Sequence, residues 1–566
     1  MNAAADAATV YRALQRSAAR YPERPFLTIL PAVAARYGIA PATLSYRDTL
    51  AAVDALAARW RAAGYGHGHR AGLLLENRPA FFVCWFALNA LGVSVVPING
   101  ELRAAELDYL FEHSELCVAV TLAARADDLR AAAGRVGRAV AIVTDAEIVA
   151  GTVAGAAAPA AALPTAALAA ATIPAPLAGA PGRDSECALL YTSGTTGRPK
   201  GCVLTNDYFL LAGDWYCGRG EPIAIRPGAD RLLTPLPMTH MNAMAYSTMA
   251  MLMSGGCVVP LDRFHPSSWW DDVRDSGATI VHYLGVMPAM LIGAAPAAGD
   301  RAHAVRFGFG AGVDRRHHAA FEQRFGFPLI EAWAMTETGA GGVVIADREP
   351  RLVGTSCIGR PDPAVAIRLV DEAGADVGDV PGELLVRAAG ADPRRGFFRE
   401  YLKDPQATAE AWAGGWFHTG DVVRRDADGY LYFVDRRKNV IRRSGENIAA
   451  VEVESVLRRH PQVREVAVAA TPDAVRGDEV LACVVPHAPL TAAEQAALAE
   501  SLVALALDQL AYYKAPGWVA FVDALPVTAT QKVQRGELKA LAARLPGSAG
   551  CIDVRGLKRR PKAAGH

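Results

Sequence analysis

No Cys-x-x-Cys pair occurs in the sequence, and its nine cysteines are scattered and odd in number. That argues against a disulfide framework or a cysteine-rich metal site and predicts a reduced, cytoplasmic chain. Charge of one sign is also missing: 58 Lys and Arg balance 58 Asp and Glu, so the composition favours neither a nucleic-acid nor an anionic-membrane partner. There is no run of about 20 strongly apolar residues. The start lacks a charged segment leading into an apolar core, so neither membrane insertion nor a signal peptide is expected. With 52% hydrophobic residues, 566 residues exceed what one core organises, and two or more domains are expected. An Ala/Pro-rich stretch over 148–181 reads as a surface connection. The basic stretch 550–566, without an apolar period, reads as a frayed terminus.

The most informative stretch is 191–201, Tyr-Thr-Ser-Gly-Thr-Thr-Gly-Arg-Pro-Lys-Gly. Thr192, Ser193, Thr195 and Thr196 supply hydroxyls, while Gly194, Gly197 and Gly201 let backbone N–H groups face a ligand. Arg198 and Lys200 supply countercharge. Together these make a polyphosphate grip. It is not a Walker loop, since Pro199 separates Arg198 from Lys200 and Gly201 follows in place of Ser or Thr.

Around this stretch, buried strands alternate with amphipathic helices. Helical periods run from Thr9 and from Ser45, Arg70 to Leu75 reads as a strand, Pro79 opens a helix, and Val93 to Val96 reads as a further strand. A parallel, doubly wound sheet is predicted. The strand from Arg231 ends at Pro237, leaving His240, Met241 and Asn242 at its carboxyl end, where ligands of open α/β sheets gather. The methionines that follow read either as core or as a pliant apolar wall. The turn Gly310-Ala311-Gly312 would let a flat ring approach the backbone. Thr336-Glu337 sets a hydroxyl beside a carboxylate, able to hold Mg²⁺ near phosphates. Beyond about residue 380 the strands read as an antiparallel unit. There Asp421 follows a glycine and reads either as an acceptor for both hydroxyls of a ribose or as a surface turn carboxylate. The charged, turn-rich string 436–447 reads as a domain joint, followed by an α+β unit that carries Lys532.

These stations, in this order, resemble the adenylate-forming superfamily of acyl-CoA synthetases, adenylation domains and luciferases over nearly the whole chain. The resemblance implies a large N-terminal domain (1–436) of layered α/β sheets plus an antiparallel barrel-like unit. It also implies a small α+β lid (437–549) turning on a hinge at Lys438, which leaves 550–566 as the tail already expected from composition to be disordered. It implies ATP, Mg²⁺ and coenzyme A as the cofactor and co-substrates, and a small carboxylic acid as the substrate. Thr192 to Lys200 would hold the β- and γ-phosphates. Gly310, Ala311, Gly312 and the run Trp333, Ala334, Met335 would border adenine and the acyl group, with His240, Met241 and Asn242 in the acid pocket. Thr336 would touch the α-phosphate, Glu337 would bind Mg²⁺, and Asp421 and Arg436 would contact ribose. Lys532 would reach the α-phosphate and the carboxylate, and Gly445 would line the pantetheine tunnel. Thus Lys532, Thr336, Glu337 and His240 are the expected catalytic residues.

Within the superfamily, Phe82-Val83-Cys84-Trp85-Phe86, Val96-Pro97-Ile98-Asn99 and 433–438 look like the carnitine and crotonobetaine CoA ligase branch. The chain departs from the family pattern at Trp333 (usually Tyr), Ala334 (usually Gly) and Gln531 (usually Gly). The expected activity is AMP-forming acyl-CoA ligation; the alternative is an adenylation enzyme that loads an aryl or other acid onto a carrier protein. Amino acids are disfavoured because residues 238–244 offer no aspartate for an α-ammonium. A catalytically dead regulator should have lost Lys532 or Glu337, and both are present. A monomer or a homodimer fits equally well.

Overall fold

The computed structural model describes residues 8–149, 173–192, 198–371, 373–378, 380–436, 440–526 and 533–558. They form two compact units. One comprises Met1–Gly100, Leu110–Leu190 and Gly201–Asp435; the other comprises Glu101–Tyr109, Tyr191–Lys200 and Arg436–His566.

In the larger unit, a seven-stranded sheet has the order Glu400–Tyr401, Lys200–Thr205, Glu186–Thr192, Ser94–Pro97, Arg70–Leu74, Val118–Thr121, Ala141–Thr144. Strand Arg70–Leu74 pairs in parallel with both of its neighbours. Beside it runs the helix Pro79–Ala90, which starts on a proline and buries Phe81, Phe82, Trp85 and Phe86. A helix apolar on every side belongs in a core, and truncating one such aromatic residue to alanine costs about 3–5 kcal/mol. The helix Tyr46–Ala62 begins where the sequence predicts, because Ser45 and Asp48 form a reciprocal capping box.

A second sheet of 13 strands changes character along its width. Arg231–Thr234, Ile280–Leu284, Phe307–Ala311 and Leu329–Trp333 lie in parallel. From Val344–Ile345 onward the pairing becomes antiparallel, through Cys357–Pro361, Val365–Val370, Gly382–Ala388 and Phe417–Arg425. The antiparallel unit expected from the sequence is therefore an extension of the parallel sheet. Strands Pro25–Ile29 and Ala42–Ser45 close its other edge. The sequence reading missed both, since each is short and only half follows an alternating pattern.

In the smaller unit, Val463–Asp473 and Gly477–Pro486 form a long antiparallel pair joined by Trp518–Phe521. The helix Ala492–Gln509 opens on a capping box between Thr491 and Glu494. One expectation is corrected here: the start of the basic terminal stretch enters the fold. Cys551–Asp553 pairs with Trp518–Phe521, and the buried Lys558 ammonium lies 2.5 Å from Glu479, whose carboxylate also receives Arg443. The basic charge answers a buried acid, and burial pushes Lys558 down to about 7. Residues 559–566 lie outside the described residues.

Candidate active site

The loops singled out in the sequence lie at the carboxyl ends of the parallel strands Arg231–Thr234, Phe307–Ala311 and Leu329–Trp333. The turn after Phe307–Ala311 needs glycine for two different reasons. A Cβ on Gly310 would lie 2.2 Å from the Tyr283 carbonyl oxygen, and Gly312 has a φ of 81°. The turn is fixed from below by Glu331. Its buried carboxylate accepts the Gly312 N–H at 2.8 Å, the Val313 N–H at 3.3 Å and the Tyr283 hydroxyl at 2.7 Å. Burial pushes Glu331 above the usual carboxylate range in spite of these donors. The sequence reading gave Glu331 no role, although a carboxylate within an apolar strand was a visible signal.

Past that strand, Thr336 is half-buried, and its backbone carbonyl accepts the Tyr208 hydroxyl at 2.9 Å. The buried Glu337 carboxylate accepts the Tyr401 hydroxyl at 3.0 Å, and its backbone carbonyl accepts the Phe398 N–H at 2.9 Å. Burial, then the Glu337 charge, push the Tyr401 hydroxyl far above its ordinary value, so it remains a donor. Tyr401 belongs to the two-residue strand Glu400–Tyr401, which pairs with Val203 and Cys202 just beyond the 191–201 stretch. Glu337 is thereby tied to the strand leaving that stretch. Nothing in the sequence marked Tyr401.

Asp421 is buried, and one of its oxygens accepts the Trp333 indole N–H at 2.9 Å. The register shifts between Glu383 and Leu385 of the neighbouring strand, opposite Thr419–Asp421. Gly420 there has a φ of 69° and donates its N–H to Glu383 at 3.0 Å. A bulge of this kind re-aims a side chain within it, here that of Asp421. Asp421 is therefore a structured, interior carboxylate, which removes the surface-turn alternative.

His240, Met241 and Asn242 follow Arg231–Thr234 and lead into a π-helical segment, Asn242–Thr248, with the buried helix Met249–Ser254 beyond it. Wide turns of this type are frequent at functional sites. Beneath Asn242 lies His282, fully buried on Ile280–Leu284. Its Nδ1 is 2.6 Å from Asn242 Oδ1 and 2.8 Å from Ser247 Oγ, and its Nε2 is 3.2 Å from the Tyr216 hydroxyl. Burial lowers His282 to about 3, so the ring is neutral.

Thr192 ends one strand and Lys200 begins its neighbour, so the 191–201 stretch joins two adjacent strands, where a Walker loop would lead into a helix. Ser193, Gly194, Thr195, Thr196 and Gly197 lie outside the described residues, as do Lys438 and Lys532 and the Arg436 side chain. In the smaller unit, Ser444 and Gly445 (φ 51° and 90°) form the two-residue turn between Val440–Arg443 and Glu446–Ala449. Left-handed turns match the twist of a hairpin. Among the described residues, no three His, Cys, Asp or Glu side chains form a metal cage. A single carboxylate such as Glu337 suits Mg²⁺, which takes one or two protein carboxylates and completes its shell with phosphate and water oxygens.

Loops rich in glycine, hydroxyl and carboxylate groups thus gather at the carboxyl ends of a parallel sheet, where open α/β folds bind their ligands. The sequence matches the model of the AMP-binding enzyme family over residues 14–401 and that of the AMP-binding enzyme C-terminal domain over residues 452–532. The chain belongs to this family. It is 30% identical over 505 residues to a crotonobetaine/carnitine–CoA ligase of Citrobacter koseri, a match covering 88% of this chain and 93% of the relative. A Shigella flexneri protein of the same name is 29% identical over 512 residues, again covering 88% and 93%. Among solved structures, o-succinylbenzoate CoA synthetase from Bacillus subtilis superposes with a TM-score of 0.75 at 24% identity, covering 93% of this chain and 98% of that one. A malonyl-CoA ligase bound to methylmalonyl-CoA and AMP gives 0.68 at 27% identity, covering 89% and 97%.

Proposed function

We propose that this protein is an AMP-forming acyl-CoA ligase, converting a carboxylic acid and ATP to an acyl-adenylate and pyrophosphate and passing the acyl group to coenzyme A. The observation that carries the reading is a pair of buried carboxylates, Asp421 at the bulge within Phe417–Arg425 and Glu337 just past Leu329–Trp333. Asp421 is oriented by Trp333, and Glu337 is tied through Tyr401 to the strand leaving the 191–201 stretch.

A carboxylate is a poor electrophile, because its leaving group would be oxide; once one of its oxygens has displaced pyrophosphate from the α-phosphorus of ATP, the acyl carbon carries AMP as its leaving group. Asp421 would accept the ribose hydroxyls, and the turn Gly310–Gly312, braced by Glu331, would pass along the adenine. The hydroxyls and backbone N–H groups of 192–200 would hold the departing pyrophosphate. Lys532 would offset the repulsion between the two anions that meet at the α-phosphorus. Glu337 would hold Mg²⁺, which would supply countercharge for the phosphates. For the second step the lid would turn about Lys438, bringing the Gly445 turn to the pantetheine thiol.

Nine free cysteines fit a reduced, cytoplasmic setting, and among the described residues no helix is long and apolar enough to cross a membrane. The deciding experiment supplies ATP and a panel of carboxylic acids, including carnitine, crotonobetaine, short fatty acids and benzoates, with either CoA or a carrier protein. Acid-dependent release of AMP and pyrophosphate with formation of acyl-CoA supports the reading. Thioester formed only on the carrier would replace CoA by a carrier protein.

A further inference from the structure

Beneath the strand-end loops, Asn242 turns its amide oxygen toward the buried His282. A neutral imidazole carries one N–H, and the Asn242 carbonyl oxygen 2.6 Å from Nδ1 can only accept. Nδ1 is therefore the protonated nitrogen, and Nε2 accepts from the Tyr216 hydroxyl. Ser247 donates to the Asn242 backbone carbonyl at 3.3 Å, leaving its oxygen to share the same imidazole N–H. The carbonyl end of the amide is thus held by a buried group that stays neutral. The amide nitrogen, on the opposite side of the same planar group, has no hydrogen-bond partner among the described residues, and Asn242 is only half-buried.

The surroundings add aromatic shape. Phe309 lies 4.9 Å from the His282 ring and 5.8 Å from Tyr246, and Tyr246 lies 5.4 Å from Trp215. No charged side chain bonds to Asn242, Ser247, Tyr216 or His282 among the described residues.

We propose that Asn242 is a specificity-determining donor in the acid pocket, oriented by His282. The protein then selects acids carrying a neutral hydrogen-bond acceptor, a hydroxyl or keto oxygen, over plain alkanoic acids. The inference rests on the ligase reading, which puts the acid at the carboxyl end of Arg231–Thr234. An amide donor pointed at the acid is unmatched when an alkanoic acid binds, and lost pairing discriminates more sharply than lost apolar contact.

The test uses the full-length protein and acid-dependent AMP release. Matched straight-chain acids are compared, each hydroxy or keto acid against the alkanoic acid of the same length. Wild-type kcat/KM should favour the acceptor acid by about ten- to hundredfold in at least one pair. Asn242→Leu should bring that ratio close to unity, with the acceptor acid losing far more of its kcat/KM than the alkanoic acid does. Asn242→Asp, which presents an acceptor in place of the donor, should also lose the acceptor acid. Equal wild-type kcat/KM within every pair overturns the inference, as does an unchanged ratio in a folded Asn242→Leu protein. AMP release with alkanoic acids alone sinks the inference and leaves the ligase reading standing. No AMP release with any acid sinks the ligase reading, and the inference with it.

Discussion

Trp333→Phe isolates one atom of the proposed nucleotide site. Phenylalanine keeps an aromatic plane at the end of Leu329–Trp333 and deletes the indole N–H that meets Asp421 at 2.9 Å. Both residues are buried, so water does not readily replace the lost donor. A hydrogen bond to a charged group contributes about 1.5–3 kcal/mol. If the freed carboxylate turns away from the ribose hydroxyls, that energy appears in ATP use, and each 1.4 kcal/mol is about a factor of ten. The expected result is a fall in kcat/KM for ATP of about ten- to hundredfold, with KM carrying most of it. The assay varies ATP at saturating acid, with Asp421→Ala as the reference variant and a melting curve as the control for folding. A nucleotide lacking one ribose hydroxyl should lose less than ATP does. A folded Trp333→Phe protein whose kcat/KM for ATP stays within about twofold of wild type would refute the reasoning.

Glu337→Gln keeps shape and removes charge, so Mg²⁺-dependent adenylation should be lost with little change in melting temperature; normal activity at limiting magnesium would remove Glu337 from the metal site. Tyr401→Phe deletes the hydroxyl that orients Glu337 and should raise the magnesium concentration required for half-maximal rate, an effect read by titrating the metal. Glu322 reports on acid stability. Burial alone would raise it, but the bidentate Arg351 guanidinium, His318 and the Leu329 N–H hold it at about 2. A carboxylate depressed in the folded state stabilises fully above its unfolded value, and loses that contribution as pH falls through the folded one. After discounting for solvent screening, Glu322→Gln should cost about 1–2 kcal/mol at neutral pH, and the difference from wild type should fade below about pH 4 in denaturant melts. Lys532→Ala should block pyrophosphate release from acid and ATP yet still convert supplied acyl-adenylate and CoA to thioester. Gly445→Leu should do the opposite, and loss of the same half-reaction in both variants would contradict a two-conformation lid.

Local signals made much of the fold legible. Ser45 and Thr491 announce their helices through capping boxes, and apolar runs such as Ala188 to Leu190 and Val480 to Val485 fall on buried strands. The glycine turn at Gly310–Gly312 was legible as well, because only glycine tolerates the approach of the Tyr283 carbonyl. What the sequence hid are pairings across distance. Tyr401 meets Glu337 across 64 positions, Trp333 meets Asp421 across 88, and His282 meets Asn242 across 40. Each is set by strand order, which local periodicity does not encode. The terminal stretch misled for a related reason: Lys558 looks like a solvated cation until its partner, Glu479, is found buried 79 positions away.

The central claim is that the carboxylate of the acid attacks the α-phosphorus of ATP. The most direct test supplies an acid labelled with heavy oxygen in its carboxylate and follows the label by mass spectrometry after turnover with ATP and CoA. The account predicts one labelled oxygen in the phosphate of AMP and none in pyrophosphate. Unlabelled AMP, or ADP as the nucleotide product, would contradict it.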